Sequence, residues 1–263
     1  MVLAATVICG ACLFTSCKKD EDNDLKLEEK IIGKWMPAEL DGRPALTNEK
    51  KVTTFISTTK ATVSISVSTY TNDVSKWASF HEDDVQISGN RVTLTGYIDE
   101  LNTTLINEYI VSSITDTELI GKWKHITIVD GVETVNFEKD IRLVKVTADH
   151  STAILGLWEC QELTGIETYN DGNDRLEFFA DGTYNYWRKN GEGQWEAVTN
   201  REFQNYFVDG TLLATRWKNQ GEEELREWWE IASIAGNEMQ WTALRQNADG
   251  TTAQQGMRWT KVN

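Results

Sequence analysis

A short stretch of this chain occurs twice, and the repetition constrains the fold more than any other feature. Ile32-Gly33-Lys34-Trp35, followed by Glu39-Leu40, returns 123 residues later as Leu155-Gly156-Leu157-Trp158, followed by Glu162-Leu163. Phe55 and Phe178 keep that offset. Residues 111–119 align without a gap on residues 231–239 at an offset of 120. Trp123 then matches Trp241, Asp130-Gly131 matches Asp249-Gly250, and Arg142 with Lys145-Val146 matches Arg258 with Lys261-Val262. The order is kept while the offset drifts by a few residues, as insertions in turns require. Self-similarity at this period reads as a duplicated domain. The predicted units are residues 25–149 and 150–263.

Within each unit the pattern is that of strands. In residues 61–70, Val63, Ile65 and Val67 alternate with Thr62, Ser64 and Ser66, the pattern of a half-buried strand. Ser88-Gly89-Asn90, Asp130-Gly131, Asp181-Gly182, Asp209-Gly210 and Asp249-Gly250 are turn signals between such runs. Each unit holds roughly eight or nine short strands, in the manner of a small sandwich or barrel. Helix is confined to a turn or two in residues 25–32 and a candidate segment at 222–228. An antiparallel meander must protect its outer strands, and closure into a barrel removes them. The predicted fold is therefore all-β, with two tandem up-and-down barrels. An eight-stranded barrel has an interior that side chains fill or that holds one small ligand.

The ends of the chain suggest an address. Residues 2–14 are apolar, too short to span a bilayer as a helix, and fit a secretory signal over residues 1–16. Thr15-Ser16-Cys17 resembles the lipobox of bacterial lipoproteins, which implies cleavage before Cys17 and lipid on its thiol. Met1-Val2-Leu3 lacks the cation usual in such signals, which places the true start elsewhere. Residues 17–24, with Lys18-Lys19-Asp20-Glu21-Asp22, form a solvated tether. The run is similar to the acidic export tag of Bacteroidota surface lipoproteins. An outer-membrane lipoprotein facing the cell exterior is implied, with the periplasmic face as the alternative. Of the four Cys, Cys9 and Cys12 would leave with the signal and Cys17 would carry lipid. Cys160 then has no partner for a disulfide and reads as a small buried hydrophobe.

The net charge is −15, and both units are acidic. That excludes nucleic acid, which needs a cationic face, and disfavours electrostatic docking on anionic lipid.

Gly33-x-Trp35 and Gly156-x-Trp158, each heading a run of short strands, resemble the opening signature of lipocalins and the wider calycin group. The resemblance implies a Trp that closes the barrel floor beneath a basic residue from the last strand. Arg142 and Arg258 are expected in that role. A cation on an indole face contributes about 0.5–2 kcal/mol. Phe179-Ala180-Asp181-Gly182-Thr183-Tyr184 is similar to a hairpin of Bacteroidota lipocalin-like lipoproteins; Thr58-Thr59 stands in its place in the first unit.

No catalytic constellation emerges, and no cofactor or metal site is expected. The three His residues, His81, His125 and His150, sit at no ligand spacing. His81-Glu82-Asp83-Asp84 reads as an exposed acidic loop. No His-Glu-x-x-His, Gly-x-Ser-x-Gly or phosphate-cradling loop occurs. The distribution of Trp is more informative. The first unit has Trp35, Trp77 and Trp123; the second has Trp158, Trp187, Trp195, Trp217, Trp228, Trp229, Trp241 and Trp259. Strand alternation would put Trp195, Trp217, Trp229, Trp241 and Trp259 on one interior face with Met239 and Leu225, joined by Tyr184 and Tyr186. Such a face either lines an aromatic cavity or packs as a solid core. The expectation is a non-enzymatic binding protein. Its second unit would take a small apolar molecule through Tyr184, Tyr186, Trp195, Trp217, Trp229 and Trp241, while the first unit serves as a spacer. The alternatives are a surface accessory or inhibitor acting through protein contacts, its partner unknown, and a glycan-binding protein of the outer membrane.

Overall fold

A computed structural model describes residues 27–64, 80–99, 102–165 and 173–262. Cys17, the tether and the expected strand segments at 65–70 and 76–79, with Trp77, lie outside the described residues.

The first unit opens with a single helical turn, α1 (Leu27–Lys30), that seats Leu27 and Ile31 in the core. Its strands are β1 (Gly33–Leu40), β2 (Arg43–Pro44), β3 (Thr53–Phe55), β4 (Lys60–Ser64), β5 (Phe80–Ser88), β6 (Arg91–Ile98), β7 (Thr103–Ile114), β8 (Glu118–Val129) and β9 (Val132–Val146). Apart from the short β2, each pairs antiparallel with its neighbour in sequence, and β1 also pairs with β9. The result is a closed eight-stranded up-and-down barrel. Alternation explains its core: in β7 the residues Leu105, Asn107, Tyr109 and Val111 are buried.

The second unit contains β10 (Gly156–Thr164), β11 (Asp174–Phe178), β12 (Tyr184–Lys189), β13 (Trp195–Ala197), β14 (Arg201–Asp209), β15 (Leu212–Asn219), β16 (Glu224–Ala235), β17 (Glu238–Gln246) and β18 (Thr252–Lys261). Its sheet runs β13-β12-β11-β10-β18-β17-β16-β15-β14. This sheet curls into a barrel whose seam lies between β13 and β14. One bridge, Thr183 with Asn205, crosses the seam near its base. Two Tyr206 bonds support it: the backbone N–H donates to Gly182 O at 2.8 Å and the hydroxyl to Phe179 O at 2.7 Å. The second barrel is thus curled rather than closed by a continuous ladder.

The duplication extends to defects in the ladders. The β1–β9 register shifts between Pro37 and Glu39, and the β10–β18 register between Cys160 and Glu162. The shift at Val111/Ser113 against β8 returns at Ile231/Ser233 against β17. Bulges of this kind bend strands and aid closure.

Three expectations change. Of residues 222–228, those from Glu224 on begin strand β16 instead of a helix, because Trp229 and Ile231 alternate inward once β15 is alongside. Residues 132–137 and 141–146 form the single long strand β9. His81-Glu82-Asp83-Asp84 lies in β5, where Glu82 and Asp84 flank Lys60 at 2.8 and 2.9 Å and Asp83 is buried.

The barrels touch. Met36, Val52 and Leu212 form one apolar cluster with Val146 and Trp228. Around it, Lys34 Nζ reaches Asp209 Oδ1 at 2.5 Å and Asp149 Oδ2 at 3.6 Å, and Lys50 pairs with Glu230. The Leu244 N–H donates to Thr47 Oγ1 at 2.8 Å.

Candidate functional site: the interior of the second barrel

Each barrel floor is built from the repeated motif. Trp35 donates its indole N–H to Ile31 O at 2.6 Å, and Trp158 donates to Ile154 O at the same distance. The cation over each ring is a lysine: Lys145 Nζ lies 5.2 Å from the Trp35 centroid and Lys261 Nζ 5.1 Å from that of Trp158. This corrects the expectation for Arg142 and Arg258. Lys145 stands directly across the ladder from Trp35, so both share a face, whereas Arg142 opposes Glu39 beyond the bulge. Arg142 bonds Glu39 at 2.7 Å and Glu118 at 2.9 Å, and Arg258 bonds Glu162 at 3.1 Å. The glycines explain themselves in the same geometry. Gly33 has φ +120° and Gly156 φ +109°, and a Cβ there would stand 2.9 Å and 3.1 Å from the Cε of Lys145 and Lys261.

Above the second floor lies a cavity of about 390 Å³. Tyr184, Tyr186, Trp217, Trp229, Trp241 and Trp259 line it, with Asp174, Arg188, Arg201 and Glu227. Strand alternation brings the four Trp inward from β15, β16, β17 and β18. Trp241 is 4.8 Å from Trp259 and 5.9 Å from Trp229, centroid to centroid. Leu225, paired across from Trp217, is exposed, and Met239 is buried in the core.

Trp195 does not join this lining. The Arg175 guanidinium sits 4.0 Å from its ring centroid and Lys189 Nζ 4.8 Å. Arg175 precedes the cavity-lining Leu176, so it takes the opposite face and bonds Glu159 at 2.5 Å. Trp195 is held outside with it.

The charged lining is mostly engaged. Asp174 Oδ1 accepts from the Tyr186 hydroxyl at 2.6 Å and from Arg188 Nε at 3.4 Å. Glu227 accepts from Trp229 Nε1 at 3.3 Å. Arg201 donates through Nη1 to Gln204 at 2.8 Å, and its guanidinium lies 4.7 Å from the Tyr186 ring and 5.3 Å from that of Trp217. Burial raises the Tyr184 phenol well above its ordinary range, with Arg201 opposing the shift. Burial lowers the Arg245 guanidinium, which lies 4.9 Å from the Trp229 ring. Among the residues that line the cavity, Trp241 Nε1, Trp259 Nε1 and Arg201 Nε are buried donors with no acceptor among the described residues. Arg201, Arg188, Asp174 and Glu227 carried no spacing signal, since each reaches the cavity from a different strand or strand end.

The interior of the first barrel holds a different set of contacts among the described residues. Trp123 donates to Asn107 Oδ1 at 3.0 Å, His125 Nδ1 lies 3.0 Å from the same oxygen, and Lys51 Nζ lies 4.9 Å from the Trp123 centroid. A groove of about 560 Å³ on the outer wall runs past Gly121, with its charges paired as Arg142–Glu39 and Lys122–Asp140. Cys160 is buried. Among the described residues no group of three His, Cys, Asp or Glu converges as metal ligands, and no helix is long and apolar enough to cross a membrane.

These features define an all-β, tandem-barrel protein with one aromatic interior cavity described. No protein-family model matches the chain, and no curated protein matches it. Among solved structures it is similar to a double mutant of the vaccine antigen Transferrin Binding Protein B from Haemophilus parasuis Hp5. The identity is 12% and the TM-score 0.25, over 69% of this chain and 39% of that one. The chain thus spans about two fifths of that protein. A likeness at this score carries no functional weight.

Proposed function

We propose that the chain is a non-enzymatic binding lipoprotein whose second barrel encloses a small molecule with an apolar body. The observation that carries this reading is the cavity of about 390 Å³ between Trp217, Trp229, Trp241 and Trp259. Its size falls in the range of small-molecule pockets, and its aromatic walls supply affinity by burial while a few polar groups orient the guest. The duplicated Gly-x-Trp floor supports a lipocalin-like architecture over residues 25–149 and 150–263. Lipid on Cys17 would tether the protein to the outer membrane, exterior side outward, through the acidic segment 17–24.

Titration of the full chain with apolar dyes and with oligosaccharides, read by Trp fluorescence, tests the reading. A saturable change with the dyes is expected. Silence across the whole panel removes it, and a response to glycans alone turns it into the sugar-binding alternative.

A second reading, an accessory acting through protein contacts, draws on a different observation. Val129, Val132 and Val135 at the β8–β9 hairpin are all exposed, Val132 by 66%. Loss of a captured partner on V132E with dye binding intact would favour it.

A further inference from the structure

The cavity of the second barrel changes character along its depth. Its aromatic end is shut away from solvent: Tyr184, Trp229, Trp241 and Trp259 are at most 4% exposed. Its other end opens among polar groups. Arg188, Asn200 and Glu227 line the same cavity and are exposed residues, and the Arg188 side chain keeps 57% of its surface. Arg188 stands near the end of β12 and Glu227 on β16, with β14 and β15 between them across the seam. A base and an acid thus meet one mouth from separate parts of the wall.

The charges of the lining balance, with Asp174 and Glu227 against Arg188 and Arg201. Asp174 and Arg201 are held within the wall. Asp174 is 6% exposed and accepts from the Tyr186 hydroxyl at 2.6 Å, and Arg201 lies against the Tyr186 and Trp217 rings. Arg188 and Glu227 are therefore the charges that the head of a guest meets. A guest with one net charge is attracted by one of them and repelled by the other. An uncharged guest gains from neither. A head with both signs gains from both, because an ammonium suits Glu227 and a planar carboxylate suits the guanidinium fork of Arg188. The rings at the closed end suit a flat body by offset or edge contact. Resting on the binding reading above, we infer that the guest of the second barrel is a small amphiphile with a flat apolar body and a zwitterionic head. The body lies against Trp229, Trp241 and Trp259, and the head sits at the mouth between Glu227 and Arg188.

The test uses three probes with one body: 3-(2-naphthyl)alanine, 3-(2-naphthyl)propionate, which lacks its ammonium, and 2-(2-naphthyl)ethylamine, which lacks its carboxylate. Each is titrated into the full chain by calorimetry at neutral pH. The amino acid is expected to bind about fivefold more tightly than either singly charged probe, and added salt shrinks that advantage. In E227Q its advantage over the propionate falls below twofold. In R188Q its advantage over the amine does so, while the amine binds as tightly as to the wild type. Parallel loss of all three probes in either variant gives the residue a structural part and overturns the head-group inference. Equal binding of all three probes, or tightest binding of a singly charged one, overturns it and leaves the cavity reading standing. So does a response to dyes with none to any probe. Silence toward both probes and dyes overturns the cavity reading as well.

Discussion

Lys261 lies over the ring of Trp158, its Nζ 5.1 Å from the centroid, and the missing side chain of Gly156 leaves the space its stem crosses. Lys145, Trp35 and Gly33 repeat the arrangement in the first barrel. A chain that duplicates a glycine, a tryptophan and a distant lysine together has duplicated one three-part joint, in which the last strand is latched to the first.

Weakening that joint should destabilise each barrel. K261M is expected to cost about 0.5–2 kcal/mol through the lost cation–ring contact. G156A should cost about 1–3 kcal/mol, because it forces an L side chain into a positive-φ backbone and crowds the lysine. Urea unfolding followed by Trp fluorescence measures both, and the matched variants K145M and G33A should fall in the same ranges.

The cavity and the outer wall can be told apart by two tryptophans. W217A removes a lining ring and should weaken dye binding about five- to tenfold. W195A removes a ring held outside by Arg175 and should leave it within about twofold. The reverse order would mean that the guest binds on the outer wall.

Lys51 makes the stability of the first barrel depend on pH. Burial pushes its ammonium down to about 8 from 10.5, with Asp83 opposing the shift. Between those values the unfolded chain binds more protons than the folded one, so stability rises with pH across that window. Below about 8 the fold bears the full penalty of a buried charge. Relative to K51M, the wild type should therefore gain about 2–3 kcal/mol as pH goes from 8 to 10.5. Thermal unfolding of both proteins over this range checks the sign.

Asp209 joins the two barrels. It is 3% exposed and holds Lys34 at 2.5 Å beside the Met36–Val52–Leu212 cluster. Burial opposes the Lys34 charge, and Asp209 raises its pKa in spite of that. D209A should leave Lys34 uncompensated and cost about 1–3 kcal/mol, and limited proteolysis should then cut first around residues 147–153. Unchanged cleavage would place the strength of the junction in the apolar cluster alone.

Lipid attachment is the simplest property to examine. C17A should abolish incorporation of labelled palmitate and release the chain from the membrane fraction.

Much of this fold is legible in the sequence because local rules govern it. Alternation marks β8, which spans residues 118–129 as the pattern requires, and Asp130-Gly131 marks its hairpin to β9. The duplicated Gly-x-Trp announces two units that each begin alike. Alternation also assigns Trp217, Trp229 and Trp241 to one face, and the cavity brings those three together.

The tertiary structure decided what depends on partners far along the chain. Arg142 and Lys145 are three residues apart on one strand and so take opposite faces, and only the pairing register, which sets Lys145 across from Trp35, determines which of them meets that ring. Trp195 shares its odd number with the lining residues, yet its strand is three residues long and pairs with the outward Lys189. Parity holds within a strand, and it carries no information across a turn whose geometry is unknown. The seam between β13 and β14, and the convergence of four Trp on one cavity, arise because ladder closure and side-chain convergence are set by the packing of the whole barrel. Sequence by itself determined the units, the strands and the motif at each floor. Long-range register determined which side chains face one another, and therefore what the second barrel can hold.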